Sequence, residues 1–171
     1  LQSAIFEPCP PPDVWAVTAE TRRPSKRQKD LADIARLLES AGLTLATLHT
    51  NSCAQTITRI IDVFPTGQQA QIRAQLSMVL EGVLSQILVP TADGHGRVMA
   101  MEIMVPTPAI RNLIRQEKVH EIYSMIQSGA KVGMQTMSQS LANLVRAGKL
   151  TKAEALARAP LPEEVTALLS R

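Results

Sequence analysis

Between Leu43 and Phe64 the chain changes its hydrophobic period once, abruptly, and that change constrains the fold more than any other feature. A short apolar run, Leu43 to Leu48, reads as a strand. His49 follows, flanked by Thr47 and Thr50. Asn51 and Ser52 then offer side-chain oxygens to the unpaired N–H groups of a helix start. Ile57, Ile60, Ile61 and Phe64 recur at i, i+3, i+4 and i+7, the stripe of a helix packed on a core. A strand that delivers a histidine to a helix N-terminus places it outside the carboxyl end of that strand, where open α/β sheets bind their ligands.

The rest of the chain reads as helix-rich. The pattern over 68–88, with Ile72, Leu76, Val79, Leu80, Val83, Leu84 and Ile87 apolar, predicts one long helix. Thr91–Gly96 is a turn cluster, and Arg97–Val105 reads as a strand buried on both faces. Thr107 and Pro108 have the asymmetry of a helix start. Further helices are expected over 118–127, closed by Gly129, and over 136–147, stopped by Gly148. Thr151 and Glu154 form a capping-box pattern, and Pro162 opens a last helix through Leu169. Before Asp30 the sequence holds five of the eleven prolines and a basic cluster from Arg22 to Lys29; only Val14–Val17 reads there as a strand.

Composition narrows the function classes. A length of 171 residues with 45% apolar and 19% charged residues fits one domain with a real core. Aromatic content of 2% leaves that core to aliphatic residues and methionine, and gives no stacking platform for nucleic acid, so no nucleic-acid partner is expected. Two cysteines, Cys9 and Cys53, make neither a disulfide framework nor a CxxC pair. His49 and Cys53 alone are too few for a metal site, so none is expected. No apolar run is long enough to span a membrane, and a cytoplasmic location is expected. None of the eight glycines opens a G-x-x-x-x-G-K-[ST] sequence, so the device that grips nucleotide phosphates is missing from these residues.

Thr47–Pro65 resembles the His box of secretion and type IV pilus motor ATPases. Ala109-Ile110-Arg111-Asn112-Leu113-Ile114 is similar to the signature of the twitching-motility retraction ATPases, the PilT family, and Gly133–Met137 resembles the same family. The resemblance runs from about Leu43 to the C-terminus. Pro12–Arg23 is similar to a Walker B stretch in which Ala19 replaces a glycine and Arg23 a final aspartate, and Ser40-Ala41-Gly42 stands where the family has Thr-Gly-His. Loss and recovery of similarity before Leu43 fits either a local frame disruption or a truncation with a diverged arm. Assembly-type relatives carry a four-cysteine zinc motif that this sequence lacks, which favours the retraction type.

The fold class that the resemblance implies is α/β: a partial RecA-like P-loop NTPase core without its Walker A half, followed by a C-terminal helical bundle. The implied divisions are a Walker-B-like region (1–42), the remaining core with the His box (43–106) and C-terminal helices (107–171). Implied catalytic residues are Glu20 and His49, with Thr47 and Thr50 beside the cofactor, which would be ATP with Mg2+. On residue type alone, Glu20 reads rather as a surface glutamate and His49 as a structural histidine bonded to a carbonyl; for His49 the surrounding His-box resemblance reverses that preference. Residues 109–114 are implied to couple nucleotide state to pilus retraction; composition alone reads them as a core helix with two solvated arginines, Arg111 and Arg115. Implied partners are copies of the chain in a hexameric ring and the type IV pilus inner-membrane platform, at the cytoplasmic side of the pilus base. The alternative is a non-catalytic paralogue acting as an interaction module in that machine. Apolar faces shaped for a larger sheet predict exposed hydrophobic surface and association.

Overall fold

The computed structural model describes residues 45–170 and, before them, the strand β1 (Val17–Ala19). Thr47–Leu48 is β2, Val83–Pro90 is β3 and Arg97–Met104 is β4. They form one sheet in the order β2-β1-β3-β4. β1 is parallel to both neighbours, and β3 and β4 form an antiparallel hairpin. β1 overlaps the Val14–Val17 expectation only at Val17; residues 14–16, like Leu43, lie outside the described residues.

Helix α1 (Cys53–Asp62) starts where the sequence places it. Ser52 is its N-cap and accepts from the Gln55 N–H, and Ile57, Ile60 and Ile61 are buried. Helix α2 (Thr66–Val79) corrects the sequence reading: it stops at Val79, and residues 83–88 are strand. The spacing of Val83, Leu84 and Ile87 satisfies both periods. At this end Arg111 donates to the carbonyls of Ser77 and Met78 at 2.8 and 2.9 Å, two of the last-turn carbonyls that a helix leaves without partners of its own. Leu80 is then extended, and β-branched Val83, Ile87 and Val89 suit the ladder that follows.

The hairpin corrects a second expectation. β4 is covered on one face only: Ala100, Glu102 and Met104 are buried, while Met99 is 44% exposed opposite Leu88 at 51%. This is the alternation of an antiparallel pair with one covered face.

Helix α3 (Pro108–Arg115) is capped by Thr107 and opened by Pro108, as predicted. The region expected as a helix from residue 118 is a 3₁₀ turn, Val119–Glu121, followed by α4 (Ile122–Ser128). Gly129 ends α4 with φ −89°, so it is not needed for a left-handed turn. It is needed for space: a Cβ there would sit 2.1 Å from Met134 Cε and 2.9 Å from the Met125 carbonyl oxygen. Helix α5 (Met137–Arg146) has a reciprocal capping box between Thr136 and Gln139, and α6 (Lys152–Arg158) and α7 (Pro162–Leu169) complete the chain. At α6, Thr151 accepts from the Glu154 N–H.

Two apolar clusters share the covered side of the hairpin. The larger joins α1, α2, α3 and α4 to Val83 and Met104; the smaller joins α5, α6 and α7 to Val89 and Ala100. Both draw on residues from either side of Pro106, so the C-terminal helices are not a detached bundle. No helix among the described residues is long and apolar enough to cross a membrane.

Candidate functional site

His49 leaves the carboxyl end of β2. Its neighbour in the strand, Leu48, is buried, whereas His49 is exposed. Thr47 is also exposed. Thr50 is buried, and its hydroxyl lies 2.7 Å from Thr56 Oγ1, which itself donates to the Ser52 carbonyl at 3.0 Å. Thr50 therefore anchors the loop to α1 through its side chain, while His49 and Thr47 are the groups the loop presents.

The first turn of α1 is already supplied with acceptors. Cys53 N–H donates to Glu102 Oε1 at 2.9 Å, Asn51 N–H to Gln55 Oε1 at 3.2 Å and Gln55 N–H to Ser52 Oγ at 3.2 Å. These amides stabilise the turn itself, and the polar chemistry turned outward is that of side chains. Beside them runs a groove of about 470 Å³ with His49, Asn51, Arg59 and Asp62 on one side and Val119 and His120 on the other. A second hollow of about 280 Å³ shares Asp62, Val119 and His120 and extends to Arg73 and Glu117. Arg73, almost fully buried, pairs with Glu117 at 2.6 Å, and Glu117 adopts φ +63°. A non-glycine residue in the left-handed region is uncommon, and here it closes the C-terminal turn of the helix ending at Arg115, where Glu117 N–H donates to the Ile114 carbonyl and Lys118 N–H to the Leu113 carbonyl.

The sequence reading singled out neither Arg59 and Asp62, whose signal was their place on the polar side of α1 opposite the isoleucine stripe, nor His120, which nothing local ties to His49.

The strand register adds one relation. Ala19 and Leu48 are partners in the parallel pair, and they immediately precede Glu20 and His49 in the chain. Glu20 itself lies outside the described residues. Among the described residues no group of three or more His, Cys, Asp or Glu is placed to hold a metal ion.

Residues 109–114 divide by exposure. Ile110 and Ile114 are fully buried, Leu113 is half-buried, and Ala109 and Asn112 face out. Arg111 is not a solvated arginine. Its Nε donates to the Pro106 carbonyl at 3.0 Å, Nη1 to Ser77 and Met78, and Nη2 to Glu81 at 2.9 Å.

Burial raises the pKa of two groups behind the groove. The Cys53 thiol is pushed far up, by desolvation first and by the neighbouring Glu102 charge second. The Glu102 carboxyl is raised by desolvation, against the hydrogen bond from the Cys53 N–H that favours its ionised form.

No family model matches the chain. Individual proteins do. The type IV pilus retraction ATPase PilT of Pseudomonas aeruginosa is 48% identical over 125 residues, which are 73% of this chain and 36% of that protein. A twitching motility protein of Neisseria gonorrhoeae is 46% identical over 128 residues, 75% of this chain and 34% of its own length. Over this stretch the chain is homologous to the PilT ATPases. A crystal structure of the PilT retraction motor with bound ADP superposes with a TM-score of 0.71 at 39% identity, covering 91% of this chain and 42% of that one. The mixed sheet and its helices are thus part of the PilT fold, a P-loop ATPase fold. The chain spans about a third of the length of the curated relatives it matches.

Proposed function

We propose that this chain is the His49-bearing part of a type IV pilus retraction motor, an ATPase in which ATP hydrolysis with Mg2+ drives pilus disassembly in twitching motility. The observation that carries this reading is near-half identity to PilT over almost three quarters of the chain, in a stretch containing both the His49 junction and residues 109–114.

In this reading His49 faces the phosphate side of a bound nucleotide. An imidazole suits that position because it can donate to a phosphate oxygen or to an attacking water. Thr47 flanks it and Thr50 fixes the loop. Glu20 is proposed as the carboxylate that orients water; the register of Ala19 with Leu48 supports it, since both acid and imidazole would follow paired residues at one end of parallel strands. ADP bound to the solved PilT motor supports a nucleotide as the ligand class. The groove residues fit a polyanion only in part, because Asp62 faces it alongside Arg59 and the two histidines. The phosphate grip has to come from residues other than these 171. We place the assembled motor as a hexameric ring on the cytoplasmic side of the pilus inner-membrane platform. Residues 109–114 couple nucleotide state to retraction, with Ala109, Asn112 and the edge of Leu113 as the surface offered.

A chimaera tests this. Residues 43–171 replace the corresponding stretch of the Pseudomonas aeruginosa PilT, and Mg-ATP hydrolysis and twitching are measured. The expected result is an active ring in which His49→Ala lowers turnover by about a hundredfold. A folded hexameric chimaera without hydrolysis, or one indifferent to His49→Ala, overturns the reading and leaves a non-catalytic interaction module in its place.

A further inference from the structure

Four residues, 49–52, join β2 to α1, and Thr50 is the one among them that is buried. His49 and Asn51 face out, and Ser52 is half-buried at the cap. A polar side chain taken inside has to find its partner inside. Thr50 Oγ1 lies 2.7 Å from Oγ1 of Thr56, a residue in the first turn of α1 with none of its surface exposed.

Counting hydrogens fixes the direction of that bond. A threonine hydroxyl has one hydrogen to give and two lone pairs to receive. Thr56 Oγ1 also lies 3.0 Å from the Ser52 carbonyl oxygen, which can only accept, so the Thr56 hydrogen is used there. The 2.7 Å contact is then made by Thr50 donating to Thr56. The hydroxyls run one way, from Thr50 to Thr56 to the Ser52 carbonyl, and each bond strengthens the next. The same carbonyl accepts the Thr56 N–H at 3.0 Å, so the side-chain pair ends on the first backbone bond of α1. Thr50 lines the groove beside His49, but its one hydrogen points away from it. Phosphate oxygens accept and do not donate, so donation to such a ligand falls to the exposed neighbours of Thr50, His49 among them.

We infer that Thr56 is the positioning residue of the His49 loop: it takes the Thr50 hydrogen into the body of α1 and so fixes the direction in which His49 leaves the end of β2. The use made of that direction rests on the proposed nucleotide-facing role of His49; the chain of hydroxyls does not. Thr56 acts only through Thr50, because it has no surface of its own to offer a ligand. The direction of the bond makes the two threonines unequal. Loss of the Thr56 hydroxyl strands a buried donor on Thr50, whereas loss of the Thr50 hydroxyl leaves Thr56 still bonded to Ser52.

The test compares Thr56→Val, which keeps the shape and removes the hydroxyl, with Thr56→Ser, which keeps the hydroxyl, and with Thr50→Val. In the isotope-labelled 171-residue chain the His49 imidazole resonances should shift in Thr56→Val and hold their native positions in Thr56→Ser. The urea midpoint should fall further in Thr56→Val than in Thr50→Val. In the chimaera described above, kcat for Mg-ATP should fall about tenfold in Thr56→Val with KM changed less than about twofold, and Thr56→Ser should restore it. A hydroxyl that only stabilised α1 would lower the midpoint and leave kcat of the folded ring and the His49 signals where they were. Native His49 signals in Thr56→Val, an unchanged kcat, or greater damage from Thr50→Val than from Thr56→Val each overturns the inference. Should Thr56→Val fail to fold, Thr50→Val reads the His49 shift and kcat from the other end of the same bond. The NMR and urea readings involve no nucleotide, so a chimaera without hydrolysis would overturn the reading of His49 and leave the hydroxyl chain to be judged by them.

Discussion

Arg111 Nη2 lies 2.9 Å from Glu81 Oε1, and the two residues are thirty positions apart. The pair is the outer end of a clamp. The same guanidinium takes the last carbonyls of α2 and the Pro106 carbonyl, so it joins the end of α2, the start of β3 and the first turn of α3. Planar, multiply donating arginine suits this role, and lysine does not.

Arg111→Ala is accordingly expected to destabilise the chain by about 1.5–3 kcal/mol, the range for hydrogen bonds to a charged group. Arg111→Lys should recover little of that. Glu81→Gln should cost less, under about 1 kcal/mol, because Glu81 is partly exposed. Urea unfolding measures all three. An Arg111→Ala protein with an unchanged midpoint would show that the carbonyls are equally well served by water.

Gly129→Ala should destabilise by about 1–3 kcal/mol, through overpacking rather than through backbone conformation. The methyl meets the flexible end of Met134 and the rigid Met125 carbonyl. Combining it with Met134→Ala relieves the first contact and leaves the second. The double-mutant cycle should therefore show a coupling energy, with the pair less damaging than the sum. Strict additivity would mean that the Met125 carbonyl alone sets the cost.

Cys53 should behave as an inert thiol. Thiolate is the reactive form, and burial with Glu102 alongside opposes it. In a Cys9→Ser chain at pH 8, alkylation should be slower than in denaturant by roughly a hundredfold or more, and should accelerate with sub-denaturing urea as local opening does. Rapid labelling in native buffer would contradict the packing of α1 on β4.

How much of this was readable in the sequence depends on how far each cause lies along the chain. Ser52, Thr107, Pro108 and Gly148 act on neighbours a few residues away, and the starts and stops they signal lie where predicted. The carbonyls at the end of α2 are served by Arg111, far downstream, and the spacing of Val83, Leu84 and Ile87, which satisfies both periods, carried the predicted helix into β3. The site divides in the same way. His49 was visible because a strand, a histidine and a cap adjoin in sequence, whereas His120 joins the groove only through the packing of the 3₁₀ turn on α1. Glu102 gave no local sign at all: a strand expected to be buried on both faces does not single out its one acid, and only the folded chain sets that acid against the first turn of α1.

That inward position has a pH consequence of definite sign. The carboxyl of Glu102 is raised in the folded chain, chiefly by desolvation, while in the unfolded chain it has its ordinary value of 4.5. The folded state therefore holds this proton more tightly, and stability falls as pH rises wherever the native state binds more protons. The contribution is fully present below about pH 4.5 and is lost as pH rises through the folded value. Glu102→Gln has no proton to lose. Urea unfolding of both proteins from pH 4 to pH 8 should show the native chain losing ground to the variant across that window and running parallel to it above. A difference that grew in the opposite sense would mean that hydrogen bonding from Cys53 outweighs desolvation, lowering the carboxyl below its ordinary value and making the ionised form the one the fold prefers.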